Sequence, residues 1–121
     1  MLRIIICEDN AEYLKLLEDY VNHTLESGSI AGEVVCAATH PDEVESYLTQ
    51  GDANVFLFDI DLNSDKNGYE LAVKIRENNP EAYLVFISEH LEYVFQSFKV
   101  RPFDFLPKPV TMKRLSGKTR I

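Results

Sequence analysis

Four large apolar residues in a row, Val55-Phe56-Leu57-Phe58, stop at Asp59, and a second acid, Asp61, follows two positions on. Apolar at successive rather than alternate positions, this run reads as a strand buried on both faces, the kind found in parallel sheets. A carboxylate at the end of such a strand lies on the carboxyl edge of the sheet, where open α/β folds bind ligands. Asp59 is therefore the first candidate for chemistry. The alternative at this point is that it caps the following turn.

Four further runs repeat the pattern. Leu2 to Cys7 reads as a buried strand ending in Glu8-Asp9-Asn10, with Asn10 suited to cap a helix. Leu14, Leu17, Val21 and Leu25 recur at helical spacing, and Ser27-Gly28-Ser29 closes that helix. Residues 33–39 form a second strand, and Pro41 opens a helix with Asp42 and Glu43 near its positive end. Val44, Tyr47 and Leu48 supply its inner face, and Gly51-Asp52 turns into the Asp59 strand. After a polar loop closing at Asn67-Gly68, Leu71, Ala72 and Ile75 mark a helix that Asn78-Asn79-Pro80 stops. Tyr83 to Ile87 is a fourth strand ending at Ser88. Leu91 to Phe98 is a short helix rich in aromatics. Phe103 to Leu106 is a fifth strand whose following proline places it at the sheet's border. A last helix starts near Thr111. Strands alternating with helices mean a parallel α/β sheet covered on both sides, with right-handed crossovers.

The chain has 121 residues, enough for one domain with one core. No apolar run approaches the length of a membrane span, and no signal peptide precedes the first strand, so a cytoplasmic protein without membrane contact is expected. In that compartment Cys7 and Cys36 read as reduced core thiols, with Cys7 standing beside the proposed site. The net charge of −8 argues against nucleic-acid binding by this chain alone. Positions 108–121 hold five of the twelve basic residues and no acid, so the first 107 positions are more acidic still. An acidic body suits a metal cation.

Glu8-Asp9, Asp59, Ser88 and Lys108 stand at the ends of four of the five strands, and a parallel sheet brings those ends along one edge. Two carboxylates at about 4 Å, with an effective dielectric near 20, repel by on the order of 4 kcal/mol, so the cluster needs a cation. Oxygen ligands select Mg²⁺ or a similar hard ion. A carboxylate nucleophile, a divalent ion, an ammonium and a hydroxyl form a set suited to phosphoryl transfer, with Asp59 attacking to give an aspartyl phosphate. Each member also has a plain reading: Glu8 and Asp9 as a solvated helix start, Ser88 as a strand terminator, Lys108 as a surface charge.

Ile4-Ile5-Ile6-Cys7-Glu8-Asp9, Phe58-Asp59-Ile60-Asp61-Leu62, Asn67-Gly68, Ser88 and Phe103-Asp104-Phe105-Leu106-Pro107-Lys108-Pro109 together resemble the receiver domains of two-component response regulators, over nearly the whole chain. The resemblance implies a flavodoxin-like (βα)5 fold with strand order 2-1-3-4-5, the order general to that fold class. It implies that Asp59 is the phosphoacceptor for a sensor histidine kinase. Mg²⁺ or Mn²⁺ would be held by Asp9, Asp59 and the backbone carbonyl of Asp61, with Glu8 acting through water. Ser88 and Lys108 would engage the phosphoryl oxygens, the Lys108–Pro109 peptide would be cis, and Phe105 would be the switch aromatic coupled to Ser88. The altered face would be that of the fourth helix, fifth strand and fifth helix. No enzyme is implied beyond slow self-phosphorylation and self-dephosphorylation.

The wording around Asp59 and Phe103-Asp104-Phe105 looks most like regulators of transcription with a LytTR DNA-binding output. Residues 1–115 would be the receiver, and 116–121 the start of a linker or the end of a stand-alone protein. Tyr93, Phe95 and Phe98 exceed the needs of one inner helix face and are expected to contribute to a homodimer patch. Glu89 departs from the family's usual small residue and is expected to slow phosphoryl access. Two other readings stay open: a phosphatase similar to haloacid dehalogenases, whose paired aspartates Asp59-Ile60-Asp61 resemble, and a degenerate receiver acting by protein interaction alone. Against the phosphatase, the acid pair Glu8-Asp9 precedes the nucleophile and no acid follows Asp104.

Overall fold

A computed structural model describes residues 1–59 and 70–87 in full, and the backbone of 68, 69, 88 and 104–107. Along the chain run β1 (Leu2–Cys7), α1 (Ala11–Ser27), β2 (Gly32–Ala38), α2 (Pro41–Leu48), β3 (Val55–Asp59), α3 (Gly68–Asn78), β4 (Tyr83–Ser88) and β5 (Asp104–Pro107). All four strand pairings are parallel, in the order β2-β1-β3-β4-β5. This is the flavodoxin-like order expected, with the proline-ended fifth strand at the border. The expected segments at Leu62–Asn67, Leu91–Phe98 and beyond Thr111 lie outside the described residues, as does the Lys108–Pro109 peptide.

Two hydrophobic layers sandwich the sheet, and the two-residue period of the strands sorts side chains between them. Ile4 and Ile6 of β1 join Val55 and Leu57 of β3, and Val85 and Ile87 of β4, against Leu14, Leu17, Val21 and Leu25 of α1. Ile5, Cys7, Phe56, Phe58, Leu84 and Phe86 take the opposite face, against Val44 of α2 and Leu71, Ala72 and Ile75 of α3. Every residue of β3 is buried, as its unbroken apolar run requires. Phe56 and Phe58 meet edge to face at 5.6 Å between ring centroids, an arrangement the aromatic quadrupole favours.

Local choices agree with this packing. Asn10 caps α1, its Oδ1 accepting the Tyr13 backbone N–H at 2.9 Å. Past the end of α1 the left-handed residue is Ser29 (φ 52°), not the glycine before it. At Gly28 an added Cβ would meet the Ile30 side chain at 3.1 Å, so that glycine serves close approach instead. Between Ile4 and Ile5 the β1–β2 register shifts by one, leaving Val35 without a partner position in the ladder. No helix among the described residues is long and apolar enough to cross a membrane.

Candidate metal centre

Strand register creates the site. Cys7 of β1 lies opposite Phe58 of β3, so the next residue of each chain segment, Glu8 and Asp59, come side by side. By period both continue the row facing α1: Glu8 follows Ile4 and Ile6, and Asp59 follows Val55 and Leu57. The Glu8 backbone N–H still donates to the Ala38 carbonyl at 3.0 Å, which holds the strand end straight. Asp9 then begins the turn into α1. One carboxylate oxygen from each of Glu8, Asp9 and Asp59 falls within 4.8 Å of the others.

Glu8 and Asp59 are buried, 1% and 2% exposed, while Asp9 is open to solvent. Ionised carboxylates at the upper end of that separation, with an effective dielectric near 20, repel by about 3–4 kcal/mol per pair. Part of the cost is met locally. Glu8 Oε1 accepts the Asn10 backbone N–H at 3.3 Å, and the positive end of the α1 dipole starts at the next residue. The donor set itself fits a hard divalent cation. Oxygens bound at about 2.0–2.6 Å to one ion stand roughly 3–5 Å apart, and carboxylates are the ligands such ions prefer. Asp9, open to solvent, would leave such an ion accessible to water and to an incoming group.

Cys7 lies against this cluster without joining its chemistry. Burial pushes its thiol up to about 12, with the charges of Glu43, Glu8 and Asp59 adding to the shift. A thiol so protonated is a poor nucleophile and a poor metal ligand. Cys36 is half-buried on β2, and burial, then Glu43, raises it too. Both are free thiols, as expected from the sequence.

The structure thus brings together Glu8, Asp9 and Asp59, the three carboxylate side chains expected at the site. Ser88 closes β4 one position beyond Ile87, the partner of Asp59, and its backbone pairs with Pro107 of β5. Phe105 pairs with Phe86 in the same ladder. The side chains of Ser88 and Phe105 are outside the described residues, and so are Asp61, Glu89, Tyr93, Phe95, Phe98 and Lys108 in full. Sequence reading missed one residue on this edge, His40. Its ring caps α2, and the signal was available: a proline in the first helical turn marks its predecessor as the cap.

The chain is similar to several known proteins. "Accessory gene regulator protein A" of Staphylococcus aureus (strain N315) is 28% identical over 110 residues, covering 88% of this chain and 46% of that protein. The chain therefore spans about half the length of the curated relatives it matches. The response regulatory domain of protein mrkE from Klebsiella pneumoniae superposes with a TM-score of 0.84 at 22% identity, covering 97% of this chain and 91% of that one. Response regulator protein TrrA from Thermotoga maritima, solved in complex with Mg(2+)-BeF, gives 0.81 at 19% identity, covering 99% and 97%. At these identities the two structures speak for the fold. The family model described as the response regulator receiver domain matches residues 4–120, and this chain belongs to that family.

Proposed function

We propose that this receiver is a phosphorylation switch, with Asp59 accepting a phosphoryl group from the phosphohistidine of a sensor kinase. The observation that carries the reading is the clustering of Glu8, Asp9 and Asp59 within 4.8 Å at the carboxyl edge of a parallel sheet. A carboxylate oxygen of Asp59 attacks phosphorus in line. The bond from phosphorus to the kinase imidazole breaks, and its electron pair returns to the ring. Asp9 and Asp59, with the backbone carbonyl of Asp61, would hold Mg²⁺ or Mn²⁺, with Glu8 acting through a water. The ion, when bound, offsets charge on the phosphoryl oxygens. The ammonium of Lys108 and the hydroxyl of Ser88 take the remaining oxygens.

Phosphorylation adds about −1.5 to −2 charge next to an already acidic cluster. Ser88 moves toward the new oxygens, and Phe105 turns into the space it leaves. The face built from β5 and the helices flanking it changes shape and passes the signal on, to a homodimer partner through Tyr93, Phe95 or Phe98. The relationship to accessory gene regulator protein A supports a transcriptional role with a LytTR-type output. Residues 1–115 are the receiver and 116–121 begin the connection to that output. Glu89 slows phosphoryl access. Catalysis on other substrates plays no part; self-phosphorylation and self-dephosphorylation are the only chemistry.

Acetyl phosphate with Mg²⁺ tests this directly. Intact-mass spectrometry of the wild type should show one added phosphoryl group, absent without the metal and absent in Asp59→Asn. A mass gain that persists in the variant would exclude Asp59 as the acceptor.

A further inference from the structure

α2 begins at Pro41, which has no N–H, so the first backbone donor in need of a partner is Asp42. The partner is the imidazole of His40: Nδ1 accepts the Asp42 N–H at 3.0 Å. The backbone of His40 is extended (φ −146°, ψ 143°), and its carbonyl accepts from the Glu43 N–H at 3.1 Å, completing the geometry of a helix cap. The usual capping residues, Ser, Thr, Asp and Asn, accept through an oxygen at any pH near neutrality. An imidazole nitrogen accepts only while it carries no proton. This hydrogen bond therefore requires neutral His40 with its proton on Nε2.

We propose that His40 is a titratable cap, holding the first turn of α2 when neutral and releasing it when protonated. Protonation sets Nδ1–H against the Asp42 N–H, donor facing donor, and puts a cation at the positive end of the helix dipole. The ring must then turn away. One contact works in the opposite sense: Nδ1 lies 3.6 Å from the Asp42 carboxylate, which attracts the charged ring. That pair is largely exposed and solvent-screened, so it offsets only part of the lost cap.

Other titratable groups surround the helix start. On α2 itself are Asp42 and Glu43, the latter bonded by the Thr39 hydroxyl at 3.0 Å. On the elements packed beneath are Cys36 of β2 and Cys7 of β1. Burial raises both thiols, so they keep their protons where imidazoles ordinarily titrate, about pH 5–8. All these groups persist in His40→Asn, which retains a capping side chain and removes only the proton-dependent acceptor.

Urea unfolding of the wild type and His40→Asn at pH 7.5 and pH 5.5 tests the proposal. The unfolding constant of the wild type should rise relative to the variant by roughly three- to tenfold on acidification, the range a lost cap supports. Equal pH dependence in the two proteins would overturn it. Nitrogen NMR of the wild-type imidazole keeps the test open should the variant fold poorly. An unprotonated, hydrogen-bonded Nδ1 at pH 7.5 is expected, with protection of the Asp42 amide falling as that nitrogen protonates. An Nδ1–H at pH 7.5, or Asp42 protection indifferent to the titration, would also sink the idea.

Discussion

At the amino ends of the strands, Arg3 reaches the Asp52 carboxylate at 2.8 Å, the Glu33 carboxylate at 3.6 Å and the Tyr47 hydroxyl at 2.9 Å. The Tyr47 hydrogen bond is the main reason the Arg3 guanidinium holds its proton more tightly than usual. Asn54 completes this end: its Oδ1 accepts the Arg3 N–H at 2.8 Å, and its side-chain amide donates to the Met1 carbonyl at 3.2 Å. At the carboxyl ends of the same strands, Glu8, Asp9 and Asp59 place like charges within 4.8 Å. One end joins opposite charges and matched donors and acceptors across β1, β2, α2 and the approach to β3. The other concentrates one sign of charge in two buried carboxylates and an exposed one. The first arrangement favours the fold by itself, and the second favours it only when something positive arrives. Structure and binding capacity are thus segregated along the strand axis.

The contrast is broken most directly at Asp59. Asp59→Asn removes one charge from the cluster while keeping the size of the side chain. The metal-free protein is expected to become more stable by about 2 kcal/mol, part of the pairwise repulsion surviving solvent relaxation. Stabilisation by Mg²⁺, which grows as the logarithm of its concentration over the dissociation constant, should be lost in the same variant. Urea titrations with and without Mg²⁺ read both effects. A destabilised, Mg²⁺-responsive Asp59→Asn protein would show that the carboxyl end is electrostatically balanced after all.

A second effect belongs to the buried thiol at the carboxyl end. Cys7 is raised from 9.0 to about 12 in the folded protein, mainly by burial. Its contribution to stability is complete below pH 9, where both states are protonated, and is lost as pH rises from 9 toward 12. The loss should be up to about 1.4 kcal/mol per pH unit in that window, because the unfolded chain gives up its proton first. Cys7→Ala should flatten the alkaline slope. An unchanged slope would place the alkaline loss elsewhere.

The smallest effect is expected at the amino end. Asn54→Ala strands the Arg3 amide and should cost about 1 kcal/mol, opposite in sign to the Asp59 substitution. The midpoint of urea unfolding measures it. A neutral result would mean water replaces the Asn54 bonds without loss.

Much of this architecture is legible in the residues. The run Val55-Phe56-Leu57-Phe58 can be satisfied only by a strand covered on both faces, and β3 is that strand. Leu14, Leu17, Val21 and Leu25 recur at helical spacing, and all four are buried on α1. Glu8, Asp9 and Asp59 are expected at one site because parallel strands end on one edge, and they do converge. What the residues do not disclose depends on partners distant in the chain. Nothing local to Arg3 announces Asp52, Tyr47 and Glu33 as its neighbours. Arg76 draws on a nearer partner: it is buried and donates to the Pro80 carbonyl at 2.8 Å, closing the end of α3. The cap at His40 is legible in part: Pro41 marks the position, although imidazole is outside the usual set of capping side chains.

By itself, then, the sequence determined which segments become strands and helices, which faces are apolar, and which acids stand at strand ends. Those properties follow from side-chain period and from the conformational limits of single residues, both of which are local. Tertiary structure decided the neighbours. Pairing Cys7 with Phe58, instead of a residue one step away, sets Glu8 beside Asp59 on the same face of the sheet. A slip of one position would point the two carboxylates to opposite faces, because strand side chains alternate. Packing of both sheet faces enforces that register, and only the folded chain supplies it.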